Sequence, residues 1–336
     1  MSDFLVTLDQ VSKTYKSRSN GVSSEVKALL PMSIEVSGDT PKVIAVAGES
    51  GSGKTTLASL ILGFQSPTSG SIGFNGIPFS KLTKAQRYEF RRTVQPVLQD
   101  PFSSYNQFYK VDHILEMPLK NYGLSKSAEQ TSVLIEKALT DVGLIPGQTL
   151  GRYPSQLSGG QRQRIMLARL LLCKPRLIVA DEPVSMIDSS YRAIILSMLL
   201  KLKTEHQINI VYITHDLATA YQISDKLIVL YKGRVVEAGD TKSIIDNPKH
   251  PYTESLISSI PVPDRIRSWD KETIEVKHGL VNETGCEYTN HCLHAIPQCK
   301  DQVPKFQQVA SHHLVSCRLY ENSPVKEPFE LIETIK

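Results

Sequence analysis

Lys42-Val43-Ile44-Ala45-Val46-Ala47, running straight into Gly48-Glu49-Ser50-Gly51-Ser52-Gly53-Lys54-Thr55-Thr56, joins a short apolar run to a glycine-rich turn. The apolar run suits a buried strand, and Thr55 to Gly63 reads as a helix. Between them the residues fit the pattern G-x-x-x-x-G-K-[ST], in the strand-to-helix setting that gives the pattern its meaning. Glycines let successive backbone N–H groups turn inward around phosphate oxygens, and the helix N-terminus adds its partial positive charge. Lys54 would reach the outer phosphates and the Thr55 hydroxyl would ligate magnesium. Gly48, Glu49, Ser50, Gly51, Ser52, Gly53, Lys54, Thr55 and Thr56 are therefore the candidate nucleotide contacts.

Outward from this point the chain alternates. Residues 4 to 15 read as a strand and Ser17 to Ser24 as a polar loop. From about 80 to 160 the pattern turns charged and helical, with Ala128 to Val142 apolar at three- and four-residue spacing. Strand-like runs return at Leu177 to Ala180 and Ile208 to Thr214, with a helix from Ser189 to about Glu205 between them, as in a parallel sheet with crossover helices. Leu227 to Tyr231 and Val235 to Ala238, joined across Lys232-Gly233, read as a hairpin. Beyond His250-Pro251-Tyr252 the prolines multiply, and we place a domain boundary at 255: residues 1 to 255 form one domain, and residues 256 to 336 a smaller, irregular one.

Composition excludes several classes. The 336 residues are 40% hydrophobic and 21% charged, as in ordinary globular proteins. The longest apolar candidate, Leu170 to Ala180, is broken by Lys174 and Arg176, so no membrane span is expected. Met1-Ser2-Asp3-Phe4 lacks a secretory pattern, which points to a cytoplasmic location. A formal charge of +4 without a basic block makes nucleic acid an unexpected partner.

Leu177-Ile178-Val179-Ala180-Asp181-Glu182 is an apolar strand ending in two carboxylates, and in a parallel sheet that end faces the crevice of the phosphate loop. Asp181 would hold magnesium and Glu182 would polarise an attacking water, a role worth roughly 10²- to 10⁴-fold. Leu157-Ser158-Gly159-Gly160-Gln161, at a helix start, offers a hydroxyl and backbone N–H groups to an anion. With these three motifs in this order, the chain resembles the ABC (ATP-binding cassette) ATPase family. The resemblance implies a phosphate-loop fold with a RecA-like parallel core sheet, an antiparallel β subdomain and a helical subdomain.

It also implies that Ser158, Gly159, Gly160 and Gln161 contact the γ-phosphate of ATP held by an opposite subunit, in a head-to-tail dimer. By the same resemblance Tyr15 stacks on adenine, Gln99 contacts magnesium or the water, Asp188 lies at the dimer contact, and His215 holds the γ-phosphate and the water. Two departures stand out: Ser185-Met186-Ile187-Asp188 replaces the usual Ser-Ala-Leu-Asp, and Asp100-Pro101-Phe102-Ser103-Ser104-Tyr105-Asn106-Gln107-Phe108-Tyr109-Lys110 follows Gln99 where peptide-transporting relatives usually carry Leu-Asn-Pro.

His250-Pro251-Tyr252-Thr253, Ile260-Pro261-Val262-Pro263-Asp264 and the cysteines beyond them resemble the C-terminal extension of the oligopeptide/dipeptide branch. Cys286, Cys292, Cys299 and Cys317 are separated by five, six and seventeen residues, unlike zinc ribbons. The branch resemblance implies a [4Fe–4S] cluster; zinc and unmetallated thiols remain alternatives, with His291, His294, His312 and His313 read as mostly surface residues. Cys173 reads as core. The implied role is ATP hydrolysis powering peptide uptake on the cytoplasmic face of the membrane, with a second ATPase subunit, two membrane-spanning permease subunits and an extracytoplasmic solute-binding protein. Oligosaccharide cargo and a catalytically silent regulatory subunit are the alternatives.

Overall fold

The computed structural model describes residues 4–19, 22–37, 40–99, 105–185, 189–260 and 284–326. β1 (Phe4–Ser19) and β2 (Val22–Ser37) form a long antiparallel ribbon. β3 (Val43–Ala47) leads through the glycine turn to α1 (Lys54–Ile61). β4 (Ser69–Phe74) and β5 (Ile77–Pro78) complete a four-stranded antiparallel sheet, ordered β2-β1-β4-β5. α2 (Lys84–Thr93) starts at a capping box, Thr83 with Gln86, and delivers the chain to β6 (Val94–Val97).

Then come α3 (Val111–Asn121), α4 (Ala128–Asp141), the one-turn α5 (Pro146–Thr149) and α6 (Gly159–Leu172). β7 (Leu177–Asp181), α7 (Ser189–His206), β8 (Asn209–Thr214), α8 (Leu217–Ile223) and β9 (Lys226–Tyr231) alternate as the sequence leads one to expect. β10 (Arg234–Asp240), α9 (Thr241–Asp246) and α10 (Pro251–Ser258) follow, and β11 (Phe306–Ala310), β12 (His313–Val315) and β13 (Val325–Lys326) come last.

The large sheet is ordered β13-β11-β12-β10-β9-β3-β8-β7-β6, with β9, β3, β8, β7 and β6 mutually parallel. β3 lies inside it and is buried on both faces, which is why its five residues are all apolar. Because strand side chains alternate, Val43, Ala45 and Ala47 enter one core with the helices, while Ile44 and Val46 enter a second with β1, β2, β4 and α1. Each fully buried Val, Ile or Leu contributes about 1.5 to 3 kcal/mol.

Several expectations are revised. Residues 17–19 and 22–24 are strand rather than loop: Ser17 pairs with Ser24, and Lys16 meets Glu25 at 2.9 Å. An exposed ribbon needs no apolar face, so its polarity conceals it. Val94–Val97, inside the stretch read as helical, pairs with β7 in the core sheet; four residues are too few to show a period.

The C-terminal lobe, expected to be irregular, supplies three short strands that extend the core sheet through pairing of β12 with β10. The boundary placed at 255 falls inside α10. Covering the edge of β10 removes a row of unpaired backbone groups.

Glu237 of β10, wholly buried, ties this lobe in. Its carboxylate accepts the backbone N–H groups of Lys249 (2.8 Å) and His250 (2.9 Å) and lies 2.6 Å from His313 Nε2. His313 is 2% exposed, so it is an interior residue and not the surface one the sequence suggested. Cys173 is buried as expected. Glu237→Ala is expected to destabilise the chain by about 3 to 5 kcal/mol in denaturant unfolding, because it leaves the buried His250 N–H and His313 and the half-buried Lys249 N–H unsatisfied.

Candidate functional site

The phosphate loop is shaped by two close approaches of backbone. A Cβ on Gly48 (φ 154°) would lie 2.2 Å from the Leu230 carbonyl oxygen, and one on Gly53 (φ 104°) 2.4 Å from that of Ala28. Only glycine fits at either position. Lys54, buried at the start of α1, donates from Nζ to the carbonyl oxygens of Gly48 and Glu49, 2.7 Å each. Burial lowers its pKa, opposed by Glu182, Asp181 and Glu49. The loop borders a cleft of about 1100 Å³ whose lining includes Tyr15, Ser50, Gly51, Gly53, Lys54, Thr55, Thr56, Gln99 and Glu182.

β7 leads Glu182 to the same cleft and ends at Asp181, beside the lining residue Thr55. Burial raises the pKa of Asp181, and a hydrogen bond from the Thr55 hydroxyl opposes the rise. Asp181 Oδ1 is buried with no hydrogen-bond partner among the described residues. An unsatisfied carboxylate oxygen beside a threonine hydroxyl is a donor set suited to a hard cation such as magnesium.

Glu182 has a left-handed backbone (φ 47°), held by its N–H donating to the Ile213 carbonyl at 2.9 Å. Its Oε1 lies 3.0 Å from His215 Nδ1, and its Oε2 accepts a longer contact from Gln99 Nε2 at 3.4 Å. Strand ends 83 and 33 residues away in the chain thus converge on one carboxylate.

Tyr15 Oη donates to Gln65 Oε1 at 2.7 Å, leaving its ring partly exposed at the cleft edge, 5.3 Å from Lys13 Nζ. Ser158 caps α6 in a reciprocal pair: its hydroxyl accepts the Gln161 N–H (3.2 Å), and Gln161 Oε1 accepts the Ser158 N–H (2.9 Å). A Cβ on Gly160 would press on the Tyr191 ring at 3.2 Å. Ser158 is exposed, and none of residues 158 to 161 lines the cleft. Asp188, like Met186 and Ile187, lies outside the described residues.

The sequence reading missed Lys27, Lys232 and Glu287 as cleft residues. They reach it from the ribbon, from the β9–β10 turn and from the C-terminal lobe, and no local motif marks them.

Among known families, the ABC transporter model matches residues 32–185, and the model for the oligopeptide/dipeptide transporter C-terminal region matches 236–299. The chain is 35% identical over 312 residues to the putative oligopeptide transport ATP-binding protein YkfD of Bacillus subtilis, covering 91% of this chain and 94% of that one. This chain belongs to the ABC transporter family, among the ATP-binding proteins of the oligopeptide/dipeptide branch.

The Bacillus subtilis oligopeptide transport ATP-binding protein AppF is 38% identical over 83% of this chain and 86% of its own length, and the di/tripeptide transport ATP-binding protein DppF of Pseudomonas aeruginosa 37% over 86% and 91%. Among solved structures, the ATP-binding cassette MJ0796, a dimer in a post-hydrolysis state bound to ADP and Pi, matches with TM-score 0.59 and 26% identity over 70% of this chain and 99% of that one. CbiO1 of Clostridium perfringens, at 23% identity and TM-score 0.61, covers 73% of this chain and 92% of its own length and shares the fold. As an ABC ATPase the protein binds and hydrolyses ATP.

Cys286, Cys292, Cys299 and Cys317 of this ABC ATPase, from separate turns, line one small cavity. Burial pushes the Cys317 thiol up to about 11 and raises those of Cys286 and Cys292, with the neighbouring thiols adding to the rise. Among the described residues no group of three or more His, Cys, Asp or Glu is arranged to hold a metal ion.

Lys54→Ala is expected to weaken ATP binding by at least about 10-fold, since a charge-assisted phosphate contact is lost. Equilibrium binding of a fluorescent ATP analogue checks this, and unchanged affinity would contradict the assignment of Lys54 to the phosphates.

Proposed function

We propose that the protein is the ATP-hydrolysing subunit of an ABC importer for peptides, with Glu182 as the base that activates water. The observation that carries this reading is that Lys54, Gln99 and Glu182 line a single cleft, with His215 against the Glu182 carboxylate and Asp181 beside Thr55 of the same lining. Glu182 accepts the proton of the attacking water, His215 orients it, and Gln99 lies on its other side. The phosphate loop and Lys54 hold the phosphates, and Tyr15 offers its ring to adenine. Thr55 and Asp181, with Gln99 nearby, would hold magnesium, which neutralises phosphate charge when bound.

Ser158 is exposed and Gly159, Gly160 and Gln161 are half-buried, and none of the four lines the cleft of their own chain. That placement supports a head-to-tail dimer in which these residues, with Asp188 at the contact, complete the site of a second ATPase subunit. The names of the relatives favour peptides over oligosaccharides as cargo, and the intact Asp181-Glu182 pair favours turnover over a silent role. Phe108, 89% exposed, and Tyr109 present aromatic surface suited to docking under two permease subunits served by a solute-binding protein. Among the described residues no helix is long and apolar enough to cross a membrane, which fits peripheral attachment at the cytoplasmic face.

We take residues 1 to 255 as the nucleotide-binding domain, with a helical subdomain at about 80 to 160, and 256 to 336 as the extension. In the extension, four thiols around one cavity support a [4Fe–4S] cluster. The spacing of the four cysteines, unlike that of zinc ribbons, favours the cluster over zinc.

Glu182→Gln is expected to lower kcat by at least about 100-fold while ATP still binds, because the base is lost and the phosphate contacts remain. Turnover at the normal rate would refute the assignment. Anaerobically purified protein is expected to be brown and to contain iron and acid-labile sulfide; a colourless preparation holding only zinc would refute the cluster.

A further inference from the structure

Three consecutive residues of the C-terminal lobe have three destinations. Cys286 lines the cysteine cavity, Glu287 lines the nucleotide cleft, and Tyr288, which also borders the cysteine cavity, enters a group of aromatic rings. In that group the Tyr288 ring centroid lies 5.5 Å from that of Tyr252 and 5.3 Å from that of Tyr231, and Tyr231 and Tyr252 are 4.4 Å apart. Ser255 on α10, the helix that carries Tyr252, opposes the rise that burial gives the Tyr288 pKa. Tyr252 is 1% exposed, and its hydroxyl accepts the backbone N–H of Glu49, the second residue of the phosphate loop, at 2.9 Å.

That contact spans 203 residues and belongs to no phosphate-loop motif. It anchors the loop at the point where β3 ends and the anion-binding turn begins. A loop that presents backbone N–H groups to phosphate binds more tightly when its conformation is already restricted, because less freedom is lost on binding. Tyr252 has little freedom of its own, since Tyr231 packs on one side and Tyr288 on another.

We propose that Tyr252 is a positioning residue for the phosphate loop, held in place by Tyr288, so that the C-terminal lobe sets the affinity of the cleft for nucleotide. The proposal rests on the nucleotide reading of the cleft, which Lys54→Ala tests separately.

The test compares Tyr252→Phe, Tyr288→Ala and Tyr288→Phe in the assembled transporter, with ATPase kinetics and equilibrium binding of a fluorescent ATP analogue. Tyr252→Phe removes only the acceptor, Tyr288→Ala removes the supporting ring, and Tyr288→Phe restores it. Tyr252→Phe and Tyr288→Ala are expected to raise KM and Kd for nucleotide about 3- to 10-fold with kcat within about twofold, as loss of one buried hydrogen bond predicts, and Tyr288→Phe to stay near the parent values. Unchanged KM and Kd in Tyr252→Phe would overturn the proposal, whether or not the thermal midpoint falls, and so would a fall in kcat at constant KM. If Tyr288→Ala fails to fold, Tyr252→Phe decides alone, because it leaves the ring packing intact.

Discussion

Between the carbonyl oxygens of Leu230 and Ala28 the backbone of the phosphate loop has no room for a side chain at Gly48 or Gly53. Those two carbonyls belong to different sheets, one on β9 of the large sheet and one on β2 of the antiparallel ribbon, so the loop is wedged where the sheets meet. Further bonds close the wedge: the Gly233 N–H donates to the Ser52 carbonyl, and the Leu30 N–H to that of Gly233. A loop held by backbone on two sides keeps its N–H groups aimed without depending on the loop's own side chains. The position of Lys54, and hence of everything that must meet a phosphate, follows from that packing.

The parallel order of β9, β3, β8, β7 and β6 places the carboxyl ends of β7, β8 and β3 on one rim. Asp181 and Glu182 leave β7 there, His215 leaves β8, and the phosphate loop leaves β3. Glu182 is turned by a left-handed backbone into the space between His215 and Gln99. Such a conformation is costly for a residue other than glycine and persists because the N–H to Ile213 and the neighbouring strand determine it. The carboxylate most exposed to error is thus held by backbone geometry as well as by its side-chain partners.

The C-terminal lobe is built into this machinery instead of hanging from it. β12 adds to the core sheet beside β10, and Glu237 binds the turn before α10 and His313 together in a dry interior. α10 in turn brings Tyr252 to the phosphate loop. Without those buried contacts the lobe would add few large apolar groups to the core; Leu314 and Val315 are its wholly buried ones among the described residues. A lobe with so small a core of its own depends on the cassette for its place.

The sequence by itself determined the elements whose signal is local. The glycine spacing with Lys54 and Thr55, the carboxylates at the end of an apolar strand, the Ser158 cap of α6 and the Lys232-Gly233 hairpin each follow from a few adjacent residues obeying backbone and hydrogen-bonding rules, and the structure places them as read. Tertiary structure alone decided what depends on distance along the chain. The polar ribbon segments 17–19 and 22–24 and the four-residue β6 have no period to reveal them and are strands because a neighbour pairs with them. Lys232 and Glu287 reach the nucleotide cleft, His313 is interior, and Tyr252 anchors Glu49, because sheet order brings distant segments together. A hydrogen bond across 203 residues leaves no trace in the spacing of either partner's neighbours, since its geometry exists only once the sheet has formed.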